Sequence, residues 1–200
     1  MPFTTTVEGP ARPSPPTSKP KTTTDSPTPE TKPVYFFRPT QGNGYLSQWY
    51  WSPFTTPTSP HLYATAEMYM MVQKALLFSD PTTASAMLET TDPARHKALG
   101  RQVANFDEKI WDANKERIVE EANWWKFTRT EDAEELCRML LETGEREIVE
   151  ASPFDRVWGV GFKEGVAGRN RQRWGRNLLG RALERVRRRL REEGGKKEGE

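Results

Sequence analysis

Apolar positions are densest between Tyr63 and Phe78, in the stretch YATAEMYMMVQKALLF. At about 100° per residue, Met68, Tyr69, Met70, Val72, Ala75, Leu76 and Leu77 spread around the whole circumference of a helix, and a helix apolar on every side is a buried one. Thr65, just before it, is the predicted N-cap. Glu67, Gln73 and Lys74 interrupt the apolar surface. Glu67 and Lys74 fall within roughly 20° of each other and about 10 Å apart along the axis, on one stripe. Burying a carboxylate and an ammonium is costly unless each finds a partner, so Leu at both positions would pack better. The stripe is therefore read as the floor of a site; the competing reading is a charged stripe that meets water.

Other segments show one-sided patterns. From Asp107 to Phe127, the residues Ile110, Trp111, Ile118, Val119, Ala122 and Trp125 share a face, which predicts a long amphipathic core helix. Leu178, Leu179, Ala182, Leu183, Val186 and Leu190 do the same near the C-terminus, with Asn177 as the expected N-cap. Asp80-Pro81 and Asp92-Pro93 each join an N-cap to a Pro at the first helical position. They predict helices over Thr82 to Glu89 and from Pro93 to about Val103, with His96 a surface histidine on the second. Thr130 is read as the cap of a further helix that Gly144 closes. VYFF from Val34 and EIVE from Glu147 are short and β-capable. TTPTSP, residues 55 to 60, reads as a loop leading into the central helix.

Composition changes this picture mainly at the ends. Two hundred residues suit one domain plus tails. Residues 1 to 33 contain nine Pro and twelve Ser or Thr, too little apolar surface to offset the cost of ordering the backbone, and read as a disordered tail. The domain then spans 34 to 191, and residues 192 to 200 read as a second, polar and disordered tail. Seven Trp in the middle is high and suits either a core or planar ligands. The lone Cys137, the lack of an apolar run of about 18 residues and the lack of a secretory signal pattern place the protein inside the cell, in the cytoplasm and off the membrane.

Two stretches carry further candidate chemistry. Glycines at 159, 161, 165 and 168 form a loop that would let backbone approach a ligand, with Trp158 offering a ring face. Arg176 and Asn177 at the start of the terminal helix, with Arg169, Arg171 and Arg173 upstream, look like an anion site. Ten Arg against one Glu between Arg169 and Arg191 could form a nucleic-acid surface or a solvated helix face.

Taken together, the blocks LSQWYWSPF, TAEMYMMVQK, LGRQV, IVEASPFDRVWGVG and WGRNLLGRAL resemble, in this order and spacing, the NADAR (YbiA-like) family, over roughly Val34 to Leu190. The resemblance implies an α+β fold, a predominantly helical single domain with a small β-sheet. It implies N-glycosidase activity at an anomeric ribose carbon, on phosphoribosylated aminopyrimidines of riboflavin biosynthesis or on ADP-ribose attached to guanine, which extends the possible substrates to modified nucleic acid. It carries the family's glutamate onto Glu67, its lysine onto Lys74, its D-x-x-W-G segment onto Asp155, Trp158 and Gly159, and its G-x-N-x-L-G segment onto Asn177 and Gly180. Two departures stand out: Met68 where many members have His, and LSQW for LSNF, so no role is carried onto positions 68 and 48.

The chemistry suits these residue types. Breaking a C–N glycosidic bond builds positive charge on the ribose, which a buried carboxylate stabilises. Glu67 is assigned that role, with Asp155 as second carboxylate. Lys74 would neutralise Glu67, bind the leaving base or attack C1′ as a Schiff-base amine. Trp158, Gly159, Trp49 and Tyr69 would contact substrate, and Arg176 and Asn177 its phosphate. Neither metal nor cofactor is required. Two other classes stay open: a non-catalytic ADP-ribose or nucleotide module, and a nucleic-acid-binding domain that uses the Arg-rich terminal helix. Retention of Glu67 argues against the first, and a net charge of only +2 against the second.

Overall fold

The computed structural model describes residues 32–197, so most of the N-terminal tail and the last three residues lie outside it. The elements, in order, are β1 (Val34–Phe36), a 3-10 turn (Gly44–Leu46), β2 (Phe54–Thr56), β3 (Ser59–Tyr63), α1 (Ala66–Leu77), α2 (Pro81–Leu88), α3 (Pro93–Gly100), α4 (Glu108–Arg129), α5 (Ala133–Leu141), β4 (Ile148–Glu150), α6 (Glu164–Ala167), a second 3-10 turn (Gly168–Arg173) and α7 (Leu178–Lys197). The class is α+β and mostly helical, and the β-structure is two separate pairs. β1 runs parallel to β4, with Tyr35 opposite Val149, and β2 pairs antiparallel with β3. None of the described helices is long and apolar enough to cross a membrane.

The central helix is α1. The Thr65 hydroxyl accepts from Met68 N at 3.1 Å and starts it, and Ser79, at φ 55, turns the chain away from its end. All of Ala66 to Val72 is buried, because α2, α3 and α4 pack around it. Tyr63, Phe54 and Tyr69 make an aromatic cluster on one side, the two tyrosine rings meeting edge-on at 4.9 Å. Asp80 caps α2 through Thr83 N at 3.0 Å, and its other oxygen accepts from Ala104 N at 2.9 Å, which fastens the turn after α3 to the end of α1. These bonds to the charged form hold its carboxyl below the usual range.

Four sequence expectations need correction. Residues 55 to 60 lie in the β2–β3 hairpin and its turn, because Phe54 pairs with Tyr63 and Thr56 with Ser59. His96 is 0% exposed: α3 folds back on α2, and the imidazole Nε2 meets the Met87 and Thr90 carbonyls at 3.0 and 2.9 Å. Thr130 closes α4, and α5 begins after Asp132. The polar end continues as helix through Lys197, and Arg191, which donates to Gly144 O at 2.6 Å and pairs with Glu145, ties this part of α7 to the turn after α5.

Candidate active site

The first turn of α1 meets the end of β4. Glu67 is 6% exposed, and its backbone N–H donates to Gln48 O at 3.0 Å. Its carboxyl interacts with the Trp49 side chain, with Lys97, near the end of α3, and with Asp155. Glu150, the last residue of β4, interacts with Glu67, Asp155 and Lys97 in turn. Three carboxyl groups from three parts of the chain therefore interact, and the exposed Lys97 offsets two of them, Glu67 and Glu150.

The loop after β4 is built to hold this arrangement. Asp155 Oδ1 accepts from both Val157 N and Trp158 N at 2.7 Å, which folds the loop on itself. Val160 N then donates to Glu150 O at 3.0 Å. Gly159 lies so close beneath the strand that a Cβ would stand 2.7 Å from Glu150 O. Any side chain there would push the loop, and Asp155 with it, away from β4.

Burial dominates the electrostatics. It pushes the Glu67 carboxyl up to about 7, with Asp155 adding to the rise and Lys97 and the Trp49 side chain opposing it. Glu150 is pushed up to about 8, by burial first and then by Asp155 and Glu67, against Lys97. Its Oε2 is buried without a hydrogen-bond partner among the described residues. Two carboxyl groups that titrate near neutrality suit general acid–base chemistry, one as acceptor and the other as donor.

Several expected site residues are placed elsewhere. Lys74 does not meet Glu67. Its Nζ donates to Gly100 O at 2.6 Å and stands 4.3 Å from the Phe106 ring centroid and 5.4 Å from that of Trp111. Tyr69 is buried in the aromatic cluster, where its hydroxyl interacts with Glu121 of α4. Asn177, at φ 50, spans β4: Nδ2 donates to Ile148 O at 2.8 Å and Oδ1 accepts from Glu150 N at 3.1 Å. It holds the strand that carries Glu150 and is itself only 5% exposed. The expected anion site at the start of α7 is filled by protein, since Asn177, Leu178 and Leu179 N–H donate to the carbonyls of Gly159, Val157 and Trp158 at 3.3, 3.1 and 3.1 Å. Arg176 turns toward α4, 3.6 Å from Glu116.

Trp49, 39% exposed, lies at the site with its side chain on Glu67. Trp158 is half-buried, packed between the loop and the core. Glu150 and Lys97 were missed by the sequence reading. Glu150 stood inside a block already singled out, at the end of a β-capable run just before Asp155. Lys97 carried no signal, because a charged residue on a short polar helix reads as solvated.

Among the described residues no group of three or more His, Cys, Asp or Glu is placed to hold a metal ion. A separate cleft of about 560 Å³ lies between α4 and α7, lined in part by Glu116, Glu120, Trp124, Trp125 and Arg185. Its charges are already paired, Arg185 with Glu120 at 2.5 Å and with Glu116 at 3.6 Å.

Residues 35–191 match the model of the NADAR domain, and the chain belongs to that family. It is 43% identical over 127 residues to N-glycosidase R617 of Acanthamoeba polyphaga mimivirus, covering 62% of this chain and 73% of that protein. It is 31% identical over 158 residues to N-glycosidase Npun_R5314 of Nostoc punctiforme, covering 79% of this chain and 92% of that one. The NMR structure of the E. coli protein YbiA shares the fold, with a TM-score of 0.64 at 24% identity over 84% of this chain and 89% of that one.

Proposed function

We propose that this chain is an N-glycosidase, a hydrolase that breaks the bond between a ribose C1′ and the nitrogen of a base or amine, with Glu67, Glu150, Asp155 and Lys97 as its centre. The observation that carries the reading is Glu67, a carboxyl 6% exposed and pushed up to about 7, which interacts with a second carboxyl, Glu150, pushed up to about 8. A nucleotide module without catalysis would gain nothing from burying two such groups together. The two relatives named as N-glycosidases support the same class.

The roles follow from protonation. At neutral pH Glu150 is mostly protonated and Glu67 is divided between its two forms. Ionised Glu67 stabilises the positive charge that develops on the ribose and takes a proton from the attacking water. Water oxygen bonds to C1′, the C1′–N bond breaks with its electron pair going to nitrogen, and Glu150 supplies the proton that nitrogen takes. Asp155, one oxygen committed to loop amides, positions water or ribose hydroxyls with the other. Lys97 supplies the positive charge that keeps part of Glu67 ionised, and any amine chemistry at C1′ falls to it, because Lys74 is occupied at Gly100.

The substrate is a phosphoribosyl or ADP-ribosyl compound with a planar leaving base. Trp49 beside Glu67 and Phe154 beside Asp155, 85% exposed, offer ring surface for that base. Phosphate is assigned to Arg156 and Arg173, which flank the Phe162 ring at 5.8 and 5.6 Å on the continuation of the same loop. The test is to incubate the protein separately with a phosphoribosylaminopyrimidine and an ADP-ribosyl-guanine oligonucleotide and to follow release of the base. Release from either one, absent in Glu67→Gln, is expected; release from neither by folded protein overturns the reading.

A further inference from the structure

Lys126 is a long charged side chain sealed in the interior, 0% exposed in the last turns of α4. Its Nζ donates to Ser47 O at 2.9 Å and stands 5.3 Å from the ring centroids of Tyr50 and Phe127. Burial pulls its pKa down to about 7. An amine at this depth carries a desolvation cost that a methionine of similar length would not. Packing alone therefore gives no reason for a lysine here.

What Lys126 holds gives a reason. One turn earlier on the same face of α4, Asn123 donates to Gln48 Oε1 at 3.0 Å and to Val119 O at 2.8 Å. Two polar residues of one helix thus grip two consecutive residues of the segment between the first 3-10 turn and β2. This segment has no strand partner among the described residues, so α4 supplies what a sheet would otherwise supply. Its next residue is Trp49, whose N–H meets Ser47 Oγ at 3.2 Å and whose side chain interacts with the Glu67 carboxyl. The Gln48 carbonyl, from the same segment, takes the Glu67 N–H at 3.0 Å.

We propose that Lys126 is a positioning residue for the reaction: by holding the Ser47 carbonyl from beneath, it fixes where the Trp49 indole meets Glu67, without touching substrate. The inference rests on the reading of Glu67 given above. Lys126 anchors the segment and Asn123 sets its rotation. The indole beside Glu67 favours its ionised form, so a displaced indole leaves that carboxyl titrating at higher pH.

The test compares Lys126→Met, Trp49→Phe and the double variant, with release of base from the substrate that wild type cleaves as readout. Lys126→Met is expected to keep the fold and to leave KM within about threefold. Its kcat should fall about tenfold, the scale on which small misplacements act. The limb of the pH–rate profile that belongs to Glu67 should move to higher pH, while Lys97, Asp155 and Glu150, the other charged groups facing it, remain in place. Trp49→Phe should show the same displacement, and the double variant should lose little more than either single one, as coupled residues do.

Wild-type kcat and pH profile in Lys126→Met, or fully additive losses with Trp49→Phe, would overturn the proposal. If Lys126→Met fails to fold, Asn123→Leu releases the same segment and is held to the same two outcomes. An active Glu67→Gln, or a wild type that cleaves neither substrate, overturns the site reading and this inference together. An inactive Glu67→Gln beside an unaffected Lys126→Met overturns this inference alone.

Discussion

Helix α1 carries two charged groups on one stripe, Glu67 buried and Lys74 half-buried, and their surroundings differ. At the C-terminal end Lys74 finds a backbone carbonyl at 2.6 Å and two aromatic rings, and its amine joins α1 to the end of α3 and the start of α4. At the N-terminal end Glu67 is set among two further carboxyl groups with one lysine to offset them. Both groups are desolvated. Partnership separates them: Lys74 is satisfied as structural groups are, while Glu67 is held at a protonation balance that helps no fold. Shared burial on a helix therefore does not define a site, and unfavourable company does.

Four outcomes test this contrast. The largest effect is expected from Glu67→Gln, which keeps the volume and removes the charge: kcat should fall by roughly two orders of magnitude or more, with KM within a few-fold. Steady-state kinetics of base release check this, and near-normal turnover would make Glu67 structural after all. Next, Lys97→Met should lower kcat by about 10- to 100-fold and move the Glu67 limb of the pH–rate profile upward, because a departing cation favours the protonated acid. An unchanged profile would remove Lys97 from the centre.

The third outcome concerns stability. Glu67 and Glu150 have folded pKa values of about 7 and about 8, above the ordinary 4.5, so the native state holds more protons than the unfolded chain between those limits. Their contribution is fully present below about pH 4.5 and is lost as pH rises through 7 and then 8. Glu150→Gln should therefore gain stability relative to wild type as pH rises from 5.5 to 8.5, by a few kcal/mol at the upper end. Urea denaturation across that range measures the difference, and parallel curves would contradict the assignment. The smallest effect on activity is expected from Lys74→Met, which should leave kcat within about threefold. It should also cost about 1 kcal/mol in urea unfolding, for the lost bond to the Gly100 carbonyl. A collapse of turnover in this variant would restore the shared-stripe reading.

Legibility in the sequence followed how local each interaction is. Thr65, Asp80 and Asp92 were readable as N-caps because a cap bond spans two or three residues. Asn177, read as a cap in the same way, does not act as one. Its side chain instead satisfies Ile148 and Glu150 of β4, across 29 and 27 positions of chain. The anion site expected at α7 failed for the same reason. Free N–H groups at a helix start are a local property, and whether a loop arrives to fill them is not.

The sequence by itself determined that α1 is buried from Ala66 to Val72, although Leu76 near its end is 51% exposed, that polar groups interrupt it at Glu67 and Lys74, and that family-like blocks surround it. Periodicity and capping are encoded within a few residues of the groups they govern. Only the tertiary structure decided which charged groups meet. Parallel pairing of β1 with β4 brings Glu150 within electrostatic reach of Glu67, the fold-back of α3 brings Lys97, and α4 reaches under the segment that carries Trp49. Electrostatic interaction depends on distance in space and on solvent exclusion, and packing, not position along the chain, sets both.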